Sequence, residues 1–582
     1  MKHILLIVGI LLCTSVVHAD VPDKFIPAPY DQQKIDGLLG NRMAINLGMR
    51  LLRVDEEGIL GGFEHRPGKQ MWIGEHAGKF LDAAGNTYLY THDARLKELM
   101  DRVAHRLIAT QLADGYLGTY TDDQRWTSWD VWVHKYDLIG LLKYHQITND
   151  SAALEACRKV GDLLIATFGD APGQRDIIKA GEHMGMAATS VLEPMVYLYR
   201  ATGEKKYLDF CYYITRAYDH EGGPRVISNL TETGRVYGTA NNKAYEMLSN
   251  LVGLVELYRT TGDEKFLVPA KKAWDDVVKN RLYLSGTTST REHFMDDGLL
   301  PAEPEDKIGE GCVTVTWLQL SWQLLRLSGD VKYAEEIERS VFNQLLAAQN
   351  PENGNISYYT PLNGRRNQGK KINCCLSSEP RGISMVPQFT WGTQADAIEV
   401  NLYTPGEVKL KVNDNDVAVK CETDFPTSGN VSYVLSPSRA QKFSLLLRVP
   451  AWCTSYSAKV ANEEFTGTPG TWLTITRTWS AGDTVKIAMD LPVKLHEGGK
   501  SYPNSLAVTR GPQLLALDKL TNPDIEYLNE AFMTDLAHFE LRPDHKASNA
   551  WLIKGKIGPN ARDLVLVPYA SATECRAWLA KP

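Results

Sequence analysis

The sequence predicts a multidomain protein with separate α and β parts, a toroid of paired helices followed by one or more β-sandwich domains. Two observations support this prediction. A loop motif recurs between apolar helical segments in the first two thirds of the chain, and short alternating segments follow it. A chain of 582 residues is long enough for several domains. We therefore divide it into a leader (1–19), a helical domain (20–387) and β-sandwich domains (388–582).

Residues 1–19 have the features of a signal peptide. Lys2 provides the positive charge, an apolar segment runs from Ile4 to Cys13, and Ala19 ends a small-residue cleavage site. No later segment approaches the ~20 apolar residues that a membrane span requires. We therefore expect an exported protein, periplasmic or secreted, with no membrane span.

The composition is that of a globular protein with an acidic balance, and its formal net charge is −7. Nucleic acids and anionic membrane surfaces attract basic proteins, so we exclude both as partners. A neutral or weakly charged substrate fits this charge better.

The helical prediction rests on the recurring loop motif. In each copy one helix ends at a residue able to adopt the left-handed conformation, and an acidic residue begins the next helix. The end residues are 54 to 67 residues apart, the length of a helix pair: His92, Asn149, Gly203, Gly262 and Gly329. Five or more such pairs can close into an α/α toroid with a central funnel. An open solenoid is the alternative.

From residue 388 the sequence pattern changes to short segments in which apolar and polar residues alternate, separated by Asn, Asp, Gly and Pro. This pattern is typical of a β-sandwich. The clearest segments are 397–403, 408–412, 443–449, 485–489 and 564–569. Because the residues that carry chemistry lie in the helical part, we expect the β region to support the barrel or to bind sugar.

The residue types most suited to chemistry lie between positions 310 and 375. Glu310, Cys312, Cys374 and Cys375 offer one carboxylate and three thiols, a ligand set that suits a tetrahedral zinc ion. Three alternatives remain: buried small apolar residues, disulfides, or a purely structural metal site. A disulfide between the adjacent Cys374 and Cys375 is disfavoured by strain.

Several residues that flank this cluster are candidates for a sugar site. Glu292 precedes it, Tyr359 lies between its two halves, and Arg381 follows it. A single Glu or Tyr in such a place is more often a surface or core residue. Aromatic side chains can stack on sugar rings, and five tryptophans are candidates for this role: Trp72, Trp126, Trp129, Trp132 and Trp317.

Glu292, residues 310–312, Tyr359, residues 374–375 and Arg381 together resemble the active-site pattern of glycoside hydrolase family 127. The founding activity of this family is β-L-arabinofuranosidase. The resemblance extends over nearly the whole mature chain, with further matching segments at 74–81, 114–120, 447–452, 479–483 and 510–512. It implies an (α/α)6 barrel followed by β-sandwich domains.

The resemblance also implies a retaining glycosidase that uses zinc. Cys374 would attack the anomeric carbon and Glu292 would act as general acid and base. Glu310, Cys312, Cys374 and Cys375 would hold the zinc ion. Side chains of neighbouring residues point opposite ways in an extended segment, so we expect only Cys374 of the pair to reach the funnel. A funnel suits exo removal of a terminal β-L-arabinofuranose or a related pectic sugar from a plant glycan.

The sequence departs from the family pattern in two places. Leu376, Ser377 and Ser378 follow the cysteine pair, where typical members continue Pro-Pro-Asn. Family histidines on two inner helices correspond to Ala188 and Lys243. The substrate-binding candidates are therefore Tyr359, His134, Lys243 and Arg381. Lys243 either selects an acidic sugar or is a solvated helix residue.

Two functions of other classes remain as alternatives. A polysaccharide lyase also fits an α/α toroid, with a Tyr or His base. A non-catalytic carbohydrate-binding protein with structural zinc would not need Glu292. If Glu292 has only a binding role, Asp297 or Glu305 becomes the candidate acid.

Overall fold

The computed structural model describes residues 21–542, 550–557 and 560–581. The predicted signal peptide, residues 1–19, lies outside the described residues. Within them, every helix is too short or too polar to cross a lipid bilayer.

The first two thirds of the described chain are helical. The α-helices are α1 (Gly37–Ile45), α2 (Glu56–Glu64), α3 (Glu75–Thr91), α4 (Ala94–Ala109), α5 (Asp130–Thr148), α6 (Ser151–Thr167), α7 (Met186–Thr189), α8 (Leu192–Thr202), α9 (Lys205–Ala217), α10 (Val226–Thr233), α11 (Ala244–Thr261), α12 (Glu264–Asn280), α13 (Gly311–Ser328), α14 (Val331–Ser340), α15 (Leu346–Ala348), α16 (Cys374–Ser384) and α17 (Val386–Thr390).

Six of these helices, α3, α5, α8, α11, α13 and α16, pack side by side in a closed ring. Five of the six are followed in sequence by an outer helix that packs against them: α4, α6, α9, α12 and α14. The sixth inner helix, α16, packs instead against α1 and the π-helical turn Asn46–Arg50. The predicted (α/α)6 barrel is therefore confirmed, and the open solenoid is not observed.

The recurring loop motif marks the ends of the inner helices. Its five end residues, named above, all adopt the left-handed conformation, with φ between 51° and 70°. Outer helices then begin at acidic residues. The side chains of Asp93, Asp150, Asp263 and Asp330 accept hydrogen bonds from backbone N–H groups of the first turn.

Because an outer helix returns the chain after each of the first five inner helices, all six inner helices run in the same direction. Their N-termini lie at one end of the barrel, which we call the catalytic end, and their C-termini lie at the distal end. The positive ends of six helix dipoles therefore converge on the catalytic end.

The remaining described chain is mostly β-structure. The strands are β1 (Ile26–Pro27), β2 (Gln33–Ile35), β3 (Ile356–Ser357), β4 (Asn363–Arg365), β5 (Gln368–Gly369), β6 (Trp391–Gln394), β7 (Ala397–Val400), β8 (Gly406–Val412), β9 (Asn415–Thr423), β10 (Asn430–Pro437), β11 (Gln441–Val449), β12 (Tyr456–Val460), β13 (Glu463–Thr466), β14 (Thr471–Trp479), β15 (Asp483–Met489), β16 (Val493–Gly498), β17 (Tyr502–Arg510), β18 (Gln513–Asp518), β19 (Ala531–Arg542), β20 (Ala550–Ile557), β21 (Asn560–Pro568), β22 (Glu574–Arg576) and β23 (Leu579–Ala580).

Two sheets form a sandwich after the barrel. One has the order β1-β6-β7-β11-β14 and the other β13-β12-β15-β10-β9-β8-β2. Buried and exposed residues alternate along β8 and β9, as the period of two predicted, and the buried residues of both sheets belong to one apolar core. The edge strands β1 and β2 come from the start of the chain, so this sandwich is not built from the later residues alone.

A third sheet follows, with the order β16-β17-β23-β19-β20-β21-β18-β22-β4. An additional pairing of β17 with β18 closes six of its strands into a ring. Leu506 and Leu566 share one apolar core, while the neighbouring Ala507 and Val567 pack with Leu362 of the helical domain. One face of the third sheet therefore packs against the helical domain, while the other face forms a core of its own.

Candidate active site

The four predicted metal ligands lie together at the catalytic end of the barrel. Glu310 immediately precedes α13, Cys312 lies in its first turn, and Cys374 and Cys375 begin the neighbouring helix α16. One ligand atom from each residue lies within 4.8 Å of the others. Two sequence segments more than 60 residues apart therefore meet because their helices are neighbours in the ring.

The spacing of the ligand atoms fits a tetrahedral metal ion. Two thiolates on a zinc ion at about 2.3 Å lie about 3.8 Å apart. The Sγ atom of Cys375 is 3.6 Å from that of Cys312 and 3.9 Å from that of Cys374. The Oε2 atom of Glu310 is buried and has no hydrogen-bond partner among the described residues. A buried carboxylate oxygen without a partner is costly, and a metal ion would remove that cost.

The two adjacent cysteines differ in exposure. Cys374 is partly exposed, while Cys375 and Cys312 are fully buried. The expectation that Cys374 and Cys375 lie in an extended segment was wrong, since both belong to the first turn of α16. That turn begins there because the side chain of Asn373 accepts a hydrogen bond from the N–H of Leu376 at 3.0 Å. A helical turn places both sulfur atoms in the cluster but leaves only Cys374 partly accessible.

The thiols of Cys312 and Cys375 stabilise a negative charge on the sulfur of Cys374. Hydrogen bonds from Cys312 and Cys375 lower the pKa of the Cys374 thiol to about 6, although burial opposes this shift. Burial raises the pKa of the Cys312 and Cys375 thiols. Cys374 is therefore the thiol that ionises first.

A buried ion pair lies beside the cluster. Lys79 is fully buried, with its Nζ atom 3.0 Å from Glu75 and 3.9 Å from the sulfur of Cys312. Glu75 also accepts a 2.5 Å hydrogen bond from the indole N–H of Trp132. Burial alone would lower the pKa of Lys79, but Cys312 and Glu75 together raise it, so Lys79 remains a cation next to the thiols. The motif at 74–81 indicated the barrel segment but not this role.

Glu292 lies in the loop between α12 and α13, in the left-handed conformation with φ 67°. The loop is attached to the start of α11: the N–H of Ala244 donates to the carbonyl of Glu292 at 3.0 Å, and Phe294 donates to Asn242 at 2.8 Å. These contacts fix the position of the Glu292 side chain at the catalytic end.

Three side chains hold the Glu292 carboxylate. Lys243 forms an ion pair with its Oε2 atom at 2.5 Å. Tyr359 and Tyr358 donate hydrogen bonds to its Oε1 atom, the latter at 3.2 Å. Burial alone would raise the pKa of Glu292, but Lys243 and the two hydroxyl groups outweigh burial and lower it.

Tyr358 connects the two predicted catalytic residues. Its hydroxyl oxygen also lies 3.0 Å from the sulfur of Cys374. The Cys374 sulfur and the Glu292 Oε1 atom are therefore no more than about 6 Å apart. Retaining glycosidases with two carboxylates separate them by about 5–5.5 Å, and inverting ones by about 6.5–9.5 Å. Sequence reasoning singled out Tyr359 and missed Tyr358, although the two are adjacent.

Lys243 is not a solvated helix residue. It immediately precedes α11, and its side chain is only 9% exposed. Ala188, at the other position where the family tends to have histidine, is buried in α7. The charge of Lys243 is engaged by Glu292.

The structure does not bring His134 or Arg381 to this site. His134 is fully buried, stacks on Trp126 and forms a 2.8 Å hydrogen bond with the carbonyl of Asp130. Arg381 lies two turns along α16 from Cys374 and forms an ion pair with Asp82 at 2.7 Å. Arg381 lies inside the ring of inner helices, whereas His134 packs against Tyr116 and Trp126.

A run of aromatic side chains forms an edge on one side of the site. Trp72 is exposed and packs against Trp129, which in turn contacts Trp132 and His183. Trp126 and Trp317, the other aromatic candidates, belong to the apolar core. This edge suits the apolar faces of a sugar.

The alternative acids are engaged elsewhere or remote from the cluster. Asp297 forms ion pairs with Arg235 and Arg281. Glu305 is exposed in the short 3₁₀ turn Pro304–Asp306. Of these acids, Glu292 is the one that shares a hydrogen-bonding partner, the hydroxyl group of Tyr358, with Cys374.

Comparison with known proteins assigns the family. Residues 41–388 match the GH127 β-L-arabinofuranosidase catalytic domain, and residues 397–492 match the GH127 middle domain. The chain belongs to glycoside hydrolase family 127. The GH127 catalytic match spans the barrel, and the middle-domain match spans most of the sandwich.

The chain is similar to a curated relative over most of its length. A non-reducing end β-L-arabinofuranosidase from Bifidobacterium longum subsp. longum is 26% identical over 508 residues, which cover 76% of this chain and 75% of the relative. Together with the GH127 match, this similarity makes the chain a glycoside hydrolase.

Solved GH127 structures share the fold. A GH127 β-arabinofuranosidase superposes with a TM-score of 0.82 at 20% identity, covering 97% of this chain and 99% of the other. A GH127 β-L-arabinofuranosidase from Geobacillus stearothermophilus T6 gives a TM-score of 0.78 at 19% identity, covering 94% of this chain and 100% of the other. The barrel and the β domains therefore have the arrangement of GH127 enzymes.

Proposed function

We propose that this GH127 enzyme removes a terminal β-L-arabinofuranosyl residue from a glycan, with retention of configuration. Cys374 is the nucleophile and Glu292 is the general acid and base. The observation that carries the proposal is the hydroxyl group of Tyr358, which contacts both residues and limits their separation to about 6 Å. The name of the Bifidobacterium relative supports the choice of sugar.

The first step forms a bond between the Cys374 sulfur and the anomeric carbon. As the glycosidic C–O bond breaks, a protonated Glu292 transfers its proton to the leaving oxygen. The leaving group departs as an alcohol, and Glu292 becomes a carboxylate that Lys243 and the two tyrosines stabilise.

The second step reverses these roles. The Glu292 carboxylate takes a proton from a water molecule as the water oxygen attacks the anomeric carbon. The C–S bond breaks, and the electron pair returns to the sulfur of Cys374. Two inversions at one carbon give net retention.

We propose zinc as the metal of the cluster, held by Glu310, Cys312, Cys374 and Cys375. Bound there, zinc would keep the thiols deprotonated and fix the direction of the Cys374 sulfur. The sulfur spacing and the buried Glu310 oxygen without a partner support this proposal.

A neutral sugar suits the site better than an acidic one. Lys243 is the only predicted residue that suggested an acidic sugar, and its charge is already engaged by Glu292. The aromatic edge near Trp72 and Trp129 can stack on the apolar face of a sugar ring, and we propose that this ring is the terminal residue of a plant-derived glycan.

The test uses aryl β-L-arabinofuranoside, with aryl glycosides of other furanoses and of uronic acids as comparisons. NMR of the first-formed product should show the β-anomer. Cys374→Ser should lose nearly all turnover while it remains folded, whereas Cys375→Ser should weaken zinc binding and recover in part with added metal. An inverted product, or normal turnover by Cys374→Ser, would refute the mechanism.

Glu292→Gln removes the proton donor and keeps the size of the side chain. A general acid contributes about 10²–10⁴-fold, so the loss should be larger for alkyl than for activated phenyl leaving groups. Equal loss on both classes would assign Glu292 a binding role.

We also propose that residues 1–19 are a cleaved leader and that the enzyme is exported. The charged start, apolar segment and small-residue cleavage site of residues 1–19 support this location. N-terminal sequencing of protein from a native-type host should begin at Asp20.

A further inference from the structure

A second cavity lies at the distal end of the barrel. It has a volume of about 650 Å³, and all six inner helices contribute to its wall. Among its lining residues, Asp82 and Gln319 lie near the midpoints of α3 and α13, and Glu193 lies in the first turn of α8. None of the proposed catalytic or metal-binding residues lines it, so it is separate from the site at the catalytic end.

The wall of the cavity has an excess of positive charge. It contains four cations and three carboxylates: Lys143, Arg200, Arg326 and Arg381 with Asp82, Glu193 and Glu256. The carboxylates already have cationic partners. Asp82 pairs with Arg381 at 2.7 Å, Glu256 with Arg200 at 2.5 Å, and Glu193 lies 3.9 Å from the buried Lys135 behind the wall.

Within the part of the chain that the structure describes, Lys143 is the cation of this wall without a partner. Arg326 is neutralised by Asp23, but the Nζ atom of Lys143 forms no hydrogen bond or ion pair with any residue of the described chain. Burial lowers its pKa, Asp82 opposes this shift, and Arg326 and Arg381 add to it. A half-buried ammonium group in a polar cavity is costly unless an anion joins it.

The rest of the wall suits hydroxyl groups. Amide side chains both donate and accept hydrogen bonds, and six of them line the cavity: Asn86, Gln146, Asn149, Gln319, Gln323 and Gln388. The Oδ1 atom of Asn86 is buried and has no partner among the described residues. Tyr197 and Trp322 add aromatic surface.

We propose that this cavity binds a small polyhydroxylated carboxylate, a sugar acid of one ring. Its carboxylate pairs with Lys143, and its hydroxyl groups bond to the amides. The site is a second ligand site of the enzyme, distinct from that of the neutral sugar cleaved at the catalytic end.

The test measures the binding of D-galacturonate to the full-length mature enzyme by titration calorimetry. Lys143→Met should weaken binding about tenfold or more, because a charge-assisted hydrogen bond is lost. Lys205→Met is the matched control, since Lys205 is exposed on the outer helix α9 and should leave affinity unchanged. D-galactose should not bind at the same concentrations, and saturating L-arabinose should not displace D-galacturonate.

Four results would overturn the proposal: no binding to the wild-type enzyme, equal affinity in Lys143→Met, displacement by L-arabinose, or equal binding of inorganic phosphate. In these cases the cations only complement the carbonyl ends of the inner helices. If Lys143→Met fails to fold, Gln319→Leu replaces it. That variant keeps the charge and should weaken D-galacturonate but not simple anion binding.

Discussion

At the scale of single residues, Tyr358 is the contact through which Cys374 and Glu292, the proposed nucleophile and acid/base, influence each other. Its hydroxyl group donates to Glu292 and lies within hydrogen-bond distance of the Cys374 sulfur. A proton added to or removed from one catalytic group therefore changes the hydrogen bond available to the other. The tyrosine also fixes the distance between the two groups.

Tyr358→Phe removes this contact and keeps the ring. A hydrogen bond to a charged group is worth about 1.5–3 kcal/mol, so kcat/KM should fall about 10- to 100-fold. The rate of Cys374 alkylation should change as well. Tyr359→Phe, whose hydroxyl contacts Glu292, should lower kcat/KM but leave alkylation unchanged. The same alkylation rate in Tyr358→Phe and the wild-type enzyme would contradict the bridging role.

Lys243→Met tests the ion pair with Glu292 through the pH profile. Lys243 lowers the pKa of Glu292, and a general acid works only while it is protonated. The alkaline limb of kcat/KM against pH should therefore move to higher pH in Lys243→Met. Lys243→Arg keeps the charge and should stay close to the wild-type profile. Superimposable profiles for Lys243→Met and the wild type would contradict this role.

The site could be predicted from sequence where the residue type itself limits the chemistry. Three thiols and a carboxylate indicate a metal cluster before any fold is known. Tyr358 could not be predicted, because neighbours in an extended segment point opposite ways. The chain instead bends after β3, and both tyrosine hydroxyls reach Glu292. His134 was selected by residue type alone, and its burial depends on long-range packing.

At the scale of elements, β7 shows how position in a sheet overrides an alternating pattern. The segment 397–403 alternates in sequence, yet all four residues of β7 are buried. The strand lies in the middle of its sheet, between β6 and β11. Glu399 is consequently buried, and burial raises its pKa to about 8.

This burial makes stability depend on pH. Glu399 has a pKa of about 8 when folded, against an ordinary value of 4.5, so the folded state retains a proton that the unfolded state loses. The contribution of this proton to the free energy of unfolding is complete below pH 4.5. It is lost as pH rises through 8, at up to about 1.4 kcal/mol per pH unit.

Glu399→Gln should remove this dependence. Between pH 5 and pH 8.5 its denaturant midpoint should fall less than that of the wild-type enzyme, because glutamine does not ionise. If the midpoints of Glu399→Gln and the wild-type enzyme fall by the same amount between the two pH values, Glu399 is not responsible for the pH dependence. Glu422→Gln, on an exposed position of β9, is the control and should follow the wild type.

The helix repeat was predictable in five of its six units. Each of these five has an inner and an outer helix joined by a loop with a recognisable end residue. The sixth unit joins α16 to α1, which lie at opposite ends of the helical domain in sequence. A pattern of consecutive repeats cannot reveal a pair of this kind.

At the scale of the whole molecule, Arg448 connects the sandwich to the barrel. This β11 residue is fully buried and bonds to Glu335 at 2.9 Å and to Glu338, both on α14. The indole of Trp452 donates to the same Glu338 carboxylate at 2.7 Å. The carboxylates are therefore paired only while the two domains are packed together.

Arg448→Met should destabilise the protein, because it leaves the Glu338 charge buried with one neutral donor. Loss of one partner from a buried pair costs about 3–5 kcal/mol, which should appear as a lower denaturant midpoint. Lys420→Met breaks an exposed pair and should leave the denaturant midpoint nearly unchanged, because solvent screens the pair. Equal effects of the two substitutions would contradict a role for Arg448 in joining the domains.

The edge strands β1 and β2 have a consequence for biosynthesis. They pair with β6 and β8, which lie more than 350 residues later in the chain. At about 5–20 residues per second, a ribosome needs roughly 20–70 s to make that stretch. Strands β1 and β2 therefore remain unpaired until most of the polypeptide has emerged, and the enzyme cannot complete its fold one domain at a time.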